Sequence, residues 1–397
     1  MSEPPPEDIL ARFAGMVDQC YDYAEAAKSQ GRPVVGITCE YTPREIILAA
    51  GAVPVCLCGG ALETIPDAER TLPANLCPLI KSTFGYHVQK SNPFLEWADL
   101  VVAETTCDGK KKMYEIMAES RPLYVLELPQ KADRSEGLER WTEEVRALAA
   151  ALEARFGVRI TDEALRQAVR LMNRERGLRR RLADLMALDR PPLTGRQLLD
   201  LKSLISGQEA DLERYESLVR ALEGGASSPG SPRDRADKPA PVRVLLTGVP
   251  TVHGAERVLD LVEAAGAVVV AQENCTGLKP ILEDVDAEAA DPLRAIAEKY
   301  YHLPCSVLTV NDRRLTSLAD LAKKFRPQAV IDLVWHACLT YDVESFRVRR
   351  LAEDELGLPY LKIETDYAPS DSARLAVRIE ALFETVRSRK KAGGSFR

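Results

Sequence analysis

The residues that carry chemistry in this chain are its nine cysteines. An odd count works against a complete disulfide set, and in a reducing compartment free thiols in this number are either inert core residues or metal ligands. Their placement favours ligands. Cys107 follows the apolar run 100–103, and Cys338 follows the run 330–334. Cys77 precedes the first of these by about 30 residues and Cys305 precedes the second by about as many, so the two pairs correspond. Cys39 and Cys58 close the first and second strand-like runs, and Cys275 closes the second such run of the later half. Inert cysteines sit inside strands and helices as small hydrophobes, which is how Cys20 and Cys56 read. Seven at strand ends lie where loops concentrate function.

Thiolate-rich sites suit iron–sulfur clusters or zinc. No C-x-x-C occurs, and neither zinc-finger nor bacterial ferredoxin spacing is present. Zinc takes four ligands, fewer than this supply. The alternatives are weaker. A cysteine hydrolase needs a thiolate with a histidine base, and His336 beside Cys338 is a neighbour in sequence rather than a demonstrated dyad. No G-x-G-x-x-G or GK[ST] supports a nucleotide site. His253 and His302 read as surface or capping residues, and His87 as packed or exposed.

Strands must hold these loops. Short β-branched runs at 34–38, 52–55, 100–103 and 123–126 alternate with helical patterns, the signature of βαβ units and a parallel sheet. Residues 6–29 read as an opening helix. The pattern then restarts: AAGAVPV at 49–55 returns as AAGAVVV at 264–270, and runs at 244–247, 268–270, 330–334 and 359–363 follow the same order. The fold expected is α/β, with two repeated doubly wound parallel-sheet domains and a helical connector. The divisions are 1–130, an opening helix and first cluster-binding domain; 131–223, the connector; 224–241, a flexible exposed linker; and 242–397, the second cluster-binding domain. Such folds bind ligands at strand carboxyl ends, so the halves should face each other across a cleft.

Composition fits this. The chain is 46% hydrophobic and 28% charged, with a net charge of −7, which disfavours nucleic acid as a partner. Arg179–Arg181 read as a solvated helix face. No apolar run of membrane-spanning length occurs. The start, MSEPPPEDIL, lacks the basic and apolar regions of a signal peptide, so a cytoplasmic protein is expected.

Taken together, CEYTPRE from Cys39 followed by AAGAVPV, LCP at 76–78, TCDGKKK at 106–112, ENCTG at 273–277, HAC at 336–338 and ETDY at 364–367 resemble the 2-hydroxyacyl-CoA dehydratase and benzoyl-CoA reductase subunit family. Within it the chain looks most like the double-cubane-cluster reductases. The resemblance implies one [4Fe-4S] cluster on Cys77, Cys107 and Cys338. In the double-cubane form it implies an [8Fe-9S] cluster with Cys275 and Cys305 added and a sixth ligand from Cys39 or Cys58, of which Cys39 is preferred because it ends the first strand. It further implies an ATP-dependent iron–sulfur activator as electron source, a homodimer, and a small unsaturated or N–N bonded substrate. The competing readings are a 2-hydroxyacyl-CoA dehydratase subunit and a non-catalytic electron-storage protein. His336, Glu104 and Glu40 are candidate proton donors. The backbone N–H groups of Asp108, Gly109, Thr276 and Gly277 are candidates for hydrogen bonds to cluster sulfur. Asp108 is otherwise a helix cap, with the helix starting near Lys110. Lys110–Lys112 would offset cluster charge, dock the activator, or form a solvated helix start.

Overall fold

The computed structural model describes residues 4–131 and 134–391. The chain opens with α1 (Pro6–Ala14) and α2 (Met16–Ser29), so the single helix expected there is broken at Gly15. The first half continues β1 (Val34–Ile37), α3 (Arg44–Ala49), β2 (Val53–Cys56), α4 (Ile65–Ala68), α5 (Pro78–Gln89), α6 (Pro93–Trp97), β3 (Leu100–Glu104), α7 (Asp108–Met117) and β4 (Leu123–Leu126). The connector holds α8 (Ser135–Phe156), α9 (Asp162–Asp184), α10 (Gly195–Asp200) and α11 (Glu209–Glu223). The second half runs β5 (Val242–Gly248), α12 (Arg257–Ala264), β6 (Ala267–Gln272), α13 (Pro292–Tyr301), α14 (Asp312–Phe325), β7 (Ala329–Trp335), α15 (Leu339–Arg350), β8 (Tyr360–Thr365) and α16 (Ser372–Lys391).

The strands form two four-stranded sheets, β2-β1-β3-β4 and β6-β5-β7-β8. Every neighbouring pair is parallel. The repeat in the sequence is thus a repeat of topology. Six of the strands are apolar almost throughout because helices cover both faces, as parallel sheets require. The edge strands β4 and β8 are less buried. In each sheet the order of strand addition reverses between the two central strands, β1 and β3 or β5 and β7. A crevice opens at the carboxyl ends of such a pair. Gly248 ends β5 with φ +106°, and a Cβ there would lie 2.0 Å from the Leu333 carbonyl oxygen, so only glycine lets the chain leave the sheet at this point.

The connector joins the halves by burial. Trp141, Val145, Leu148 and Leu152 of α8 share one core with Tyr41 of the first half and Tyr300 and Tyr301 of the second. Arg176 of α9 donates to the Glu45 carboxylate of α3 at 2.8 Å, with both side chains buried. The Arg179–Arg181 run is less solvated than expected: Arg179 is largely buried near Glu175, while Arg180 and Arg181 pair with Asp284 and Glu223. The segment 224–241 also departs from an exposed linker. Ser228 is buried and donates to the Pro192 carbonyl at 2.8 Å, and Arg233 donates to the Ala226 carbonyl at 2.8 Å; residues 234–240 are exposed. Among the described residues no helix is long and apolar enough to cross a membrane.

Candidate functional site: a thiol-lined cleft

The carboxyl ends of both sheets open onto one cavity of about 750 Å³, lined by eight of the nine cysteines. That volume is typical of a small-molecule site. Cys20 stands apart, buried against the Ser203 hydroxyl at 3.3 Å. Cys56 lies at the end of β2, 3.7 Å from Arg44 Nη2.

Six of the cavity thiols fall into two interacting sets. Cys77 and Cys338 are in hydrogen-bonding reach, a contact that pulls the Cys77 thiol down and pushes the Cys338 thiol well up. Cys107 feels the charge of Cys338, though burial is what mainly raises it. The second set is Cys39, Cys275 and Cys305. Burial, then the Glu104 charge, drives the Cys39 thiol well up, and Cys275 and Cys305 add to this. Cys275 is pushed to about 11 by burial first, opposed by Lys279 and reinforced by Cys305. Cys58 belongs to neither set in this sense. Its neighbours are Lys110, Cys56, Lys202 and Glu40, and its thiol donates to the Thr38 carbonyl at 3.3 Å.

The two sets are held in different surroundings. Cys77, Cys107 and Cys338 are each the N-cap of a helix, of α5, α7 and α15 respectively, and none makes a side-chain capping bond. First-turn N–H groups point at the sulfurs instead: those of Leu79 and Ile80 at Cys77, Gly109 and Lys110 at Cys107, and Tyr341 at Cys338. Unpaired amides and the positive helix end both favour an anionic sulfur. The second set lies among ammonium groups. Lys110 Nζ donates to the Thr38 carbonyl at 3.0 Å, Lys202 to the Cys275 carbonyl at 2.7 Å, and the buried Lys279 to the Tyr341 hydroxyl at 3.0 Å. Glu273, two residues before Cys275, anchors that loop through Lys279 at 3.3 Å, Arg314 at 3.1 Å and the Thr247 hydroxyl at 2.6 Å.

The other expected residues are distributed unevenly. Asp108 is the first residue of α7 rather than its cap; it is 96% exposed and pairs with Lys111 at 2.8 Å. The helix therefore starts two residues before Lys110. Lys110 lines the cavity, whereas Lys112 is exposed and bound to Glu115. The Gly109 amide lies on the Cys107 side of the first turn, where it lowers the pKa of the Cys107 thiol against burial. The Gly277 amide does not face sulfur: it donates to the Asn274 side-chain oxygen at 2.9 Å within its own turn. Thr276 lines the cavity, and its hydroxyl donates to the same Asn274 oxygen. Glu40 lines the cavity, but Arg44 at 2.8 Å and Lys202 overcome the cost of its burial and hold its carboxyl down at about 2. Glu40 is therefore paired with two cations in the cavity wall. Glu104 is fully buried behind the wall, raised mainly by burial, and accepts the Thr38 and Thr42 hydroxyls. His336 is not among the residues lining the cavity; its ring is 52% exposed and lies 3.6 Å from Asp366.

Among the described residues, no three His, Cys, Asp or Glu side chains close on a single metal ion. The donor set is nevertheless suited to a thiolate-bound group. Two buried polar atoms on wall residues, Thr106 Oγ1 beside Cys107 and Trp335 Nε1 three residues before Cys338, have no partner among the described residues. Such atoms are rare in native proteins and mark where a further group would sit.

A crevice between two topologically identical α/β halves, walled by thiols from both, defines a class of two-domain cysteine-lined proteins. Residues 39–386 match the family model described as 2-hydroxyglutaryl-CoA dehydratase, D-component, and the chain belongs to that family. It is 40% identical to the Escherichia coli protein named "Putative dehydratase subunit YjiM", over 90% of this chain and 92% of that one. It is 22% identical to the (R)-phenyllactyl-CoA dehydratase beta subunit of Clostridium sporogenes, over 90% and 92%. It is 23% identical to a benzoyl-CoA reductase subunit of Thauera aromatica, over 94% and 96%. The family is one of dehydratase and reductase subunits, and the chain is an enzyme component of that kind.

Proposed function

We propose that the chain is an iron–sulfur reductase whose six thiols, Cys77, Cys107 and Cys338 with Cys39, Cys275 and Cys305, hold a double-cubane [8Fe-9S] cluster. The observation that carries this reading is the division of the cavity thiols into two interacting sets of three. A cluster of this kind supplies single low-potential electrons, received from an ATP-dependent iron–sulfur activator, to a small unsaturated or N–N bonded molecule. The chain's own residues do the rest. Helix N-termini stabilise the first set as thiolates, and Lys110, Lys202 and Lys279 offset negative charge near the second. Residues of both halves wall the cavity in which the substrate would be held. The working unit in this reading is a homodimer in the cytoplasm.

A second reading is favoured by the relatives' names. Phenyllactyl-CoA and lactoyl-CoA dehydratase beta subunits are among them, which supports a 2-hydroxyacyl-CoA dehydratase subunit with one [4Fe-4S] cluster on Cys77, Cys107 and Cys338. Iron and sulfide analysis of the anaerobically purified chain separates the two. The double cubane requires about eight irons per chain and the dehydratase form about four. Zinc without iron after anaerobic reconstitution overturns both. Substrate turnover distinguishes the reductase from an electron-storage protein of the same iron content.

A further inference from the structure

The loop after β5, residues 249–256, occupies in the second half the place that Cys39 and its neighbours occupy after β1 in the first. It carries no cysteine. Val249, Pro250, Thr251, Val252, His253 and Glu256 all line the cavity. The loop is tied to the turn that holds Cys275: the Thr251 amide donates to the Thr276 hydroxyl at 3.1 Å, and the Asn274 side-chain amide donates to the Thr251 hydroxyl at 3.3 Å. Across the seam it lies so close to Gly60 that a Cβ there would sit 2.0 Å from the His253 carbonyl oxygen. The backbone of His253 is thus fixed from both halves.

Its ring is oriented as well. His253 Nδ1 lies 3.3 Å from Glu256 Oε1. Glu256 is itself held: it accepts the Gly254 amide at 3.0 Å and lies 3.5 Å from Arg196 Nη2. Arg196 of α10 is shared with Asp200 at 2.9 Å and with Asp260 at 3.0 Å. The carboxylate therefore faces Nδ1, and among the described residues Nε2 has no hydrogen-bond partner, so it is the ring nitrogen left to the cavity. At 42% exposed, the ring lines the cavity while remaining open to solvent.

We propose that His253, oriented by Glu256, is the proton donor to a substrate reduced in this cavity, a role that rests on the reductase reading above. Reduction of an unsaturated bond by two electrons, delivered singly from a low-potential iron–sulfur donor, takes up two protons. One is transferred from Nε2–H of the His253 imidazolium to a substrate atom, forming the new bond to hydrogen and leaving neutral imidazole; the other comes from water. Solvent reprotonates Nε2 at the open face of the ring. The charged groups around the ring agree with this. The Glu256 bond raises the affinity of His253 for its proton above burial's opposing effect, Arg196 lowers it and Asp200 raises it.

Three forms of the full chain test this: wild type, H253Q and E256Q, prepared anaerobically with iron measured in each. Acetylene is the probe, with titanium(III) citrate as reductant. H253Q is expected to keep wild-type iron and lose about a hundredfold or more in rate, the usual worth of a general acid. The fall in wild-type rate as pH rises through the titration of His253 is expected to disappear. The imidazole resonances of the four histidines, followed by NMR in protein without iron, should show His253 titrating above the ordinary imidazole range and moving down in E256Q. An iron-loaded H253Q with wild-type rate and pH profile overturns the proposal, as does a His253 titration indifferent to E256Q. A wild-type chain without iron instead overturns the cofactor reading, and the NMR titration still decides the state of the ring.

Discussion

The ammonium of Lys202 bridges the carboxylate of Glu40 and the carbonyl oxygen of Cys275, the latter at 2.7 Å. Lys202 comes from the connector, Glu40 from the loop after β1 and Cys275 from the loop after β6. One cation thus clamps three parts of the chain. In K202M the buried Glu40 carboxylate keeps Arg44 but loses its second partner. Breaking a buried pair in this way costs about 3 kcal/mol. The expected result is a lower midpoint in thermal unfolding, measured by circular dichroism on protein without iron, with K202R recovering part of the loss.

The proposal of Cys39 rather than Cys58 as the sixth ligand rests on their neighbours. Cys39 shares its surroundings with Cys275 and Cys305, whereas Cys58 donates to a backbone carbonyl. C39S is expected to lose a large part of the bound iron after reconstitution and C58S to keep it. Colorimetric iron analysis of the two variants side by side checks this, and the reverse pattern would make Cys58 the ligand.

Lys299 gives a pH dependence of stability. It is buried in α13, where it donates to the Pro280 carbonyl at 3.0 Å, and burial followed by the Arg176 charge lowers its pKa from 10.5 to about 7. In the unfolded chain it keeps its proton up to the higher value. Between the two the unfolded state binds more protons, so this group makes stability rise with pH across that window, and its penalty is largest below it. In K299M the penalty is gone at every pH. The variant-minus-wild-type difference in Tm is therefore expected to be greatest near pH 6 and to shrink toward pH 10. A difference that stays flat over this range would mean that Lys299 is charged in the folded state throughout.

Much of this architecture is legible in the sequence. Both sheets follow from short apolar runs alternating with helical patterns, and the repetition of one α/β unit follows from the repeated AAGAV segments; the strand order within each sheet comes from the structure. The placement of the thiols is legible too, because a cysteine just past a strand falls at the sheet's carboxyl edge. The capping role of Cys77, Cys107 and Cys338 is not: helix starts are recognised by Ser, Thr, Asp and Asn, and cysteine gives no such signal. Asp108 gives it instead, one position too late. The histidines are hard to place from sequence because adjacency on the chain says little about facing. Between His336 and Cys338 stands Ala337 with φ 60°, a left-handed conformation that turns the chain sharply, so the ring goes to Asp366 and the thiol to the cavity. His253 has no cysteine near it in sequence. Its loop meets that of Cys275 through the Thr251–Thr276 and Asn274–Thr251 hydrogen bonds, contacts that depend on the finished fold. The buried seat of Ser228 is hidden in the same way, since a Gly-, Ser- and Pro-rich stretch reads as loop whether or not it packs.

Each set of three thiols draws a member from across the seam: Cys338 joins Cys77 and Cys107, and Cys39 joins Cys275 and Cys305. Translation separates these partners in time. Domains fold as units from the N-terminus during synthesis, and Cys39, Cys77 and Cys107 emerge while the ribosome is still to make more than half the chain. Neither set is complete until Cys338 and Cys305 have emerged and the halves have closed. In the cluster reading proposed above, maturation of the site is thus a late event, and the newly made first half carries three thiols whose partners have yet to emerge.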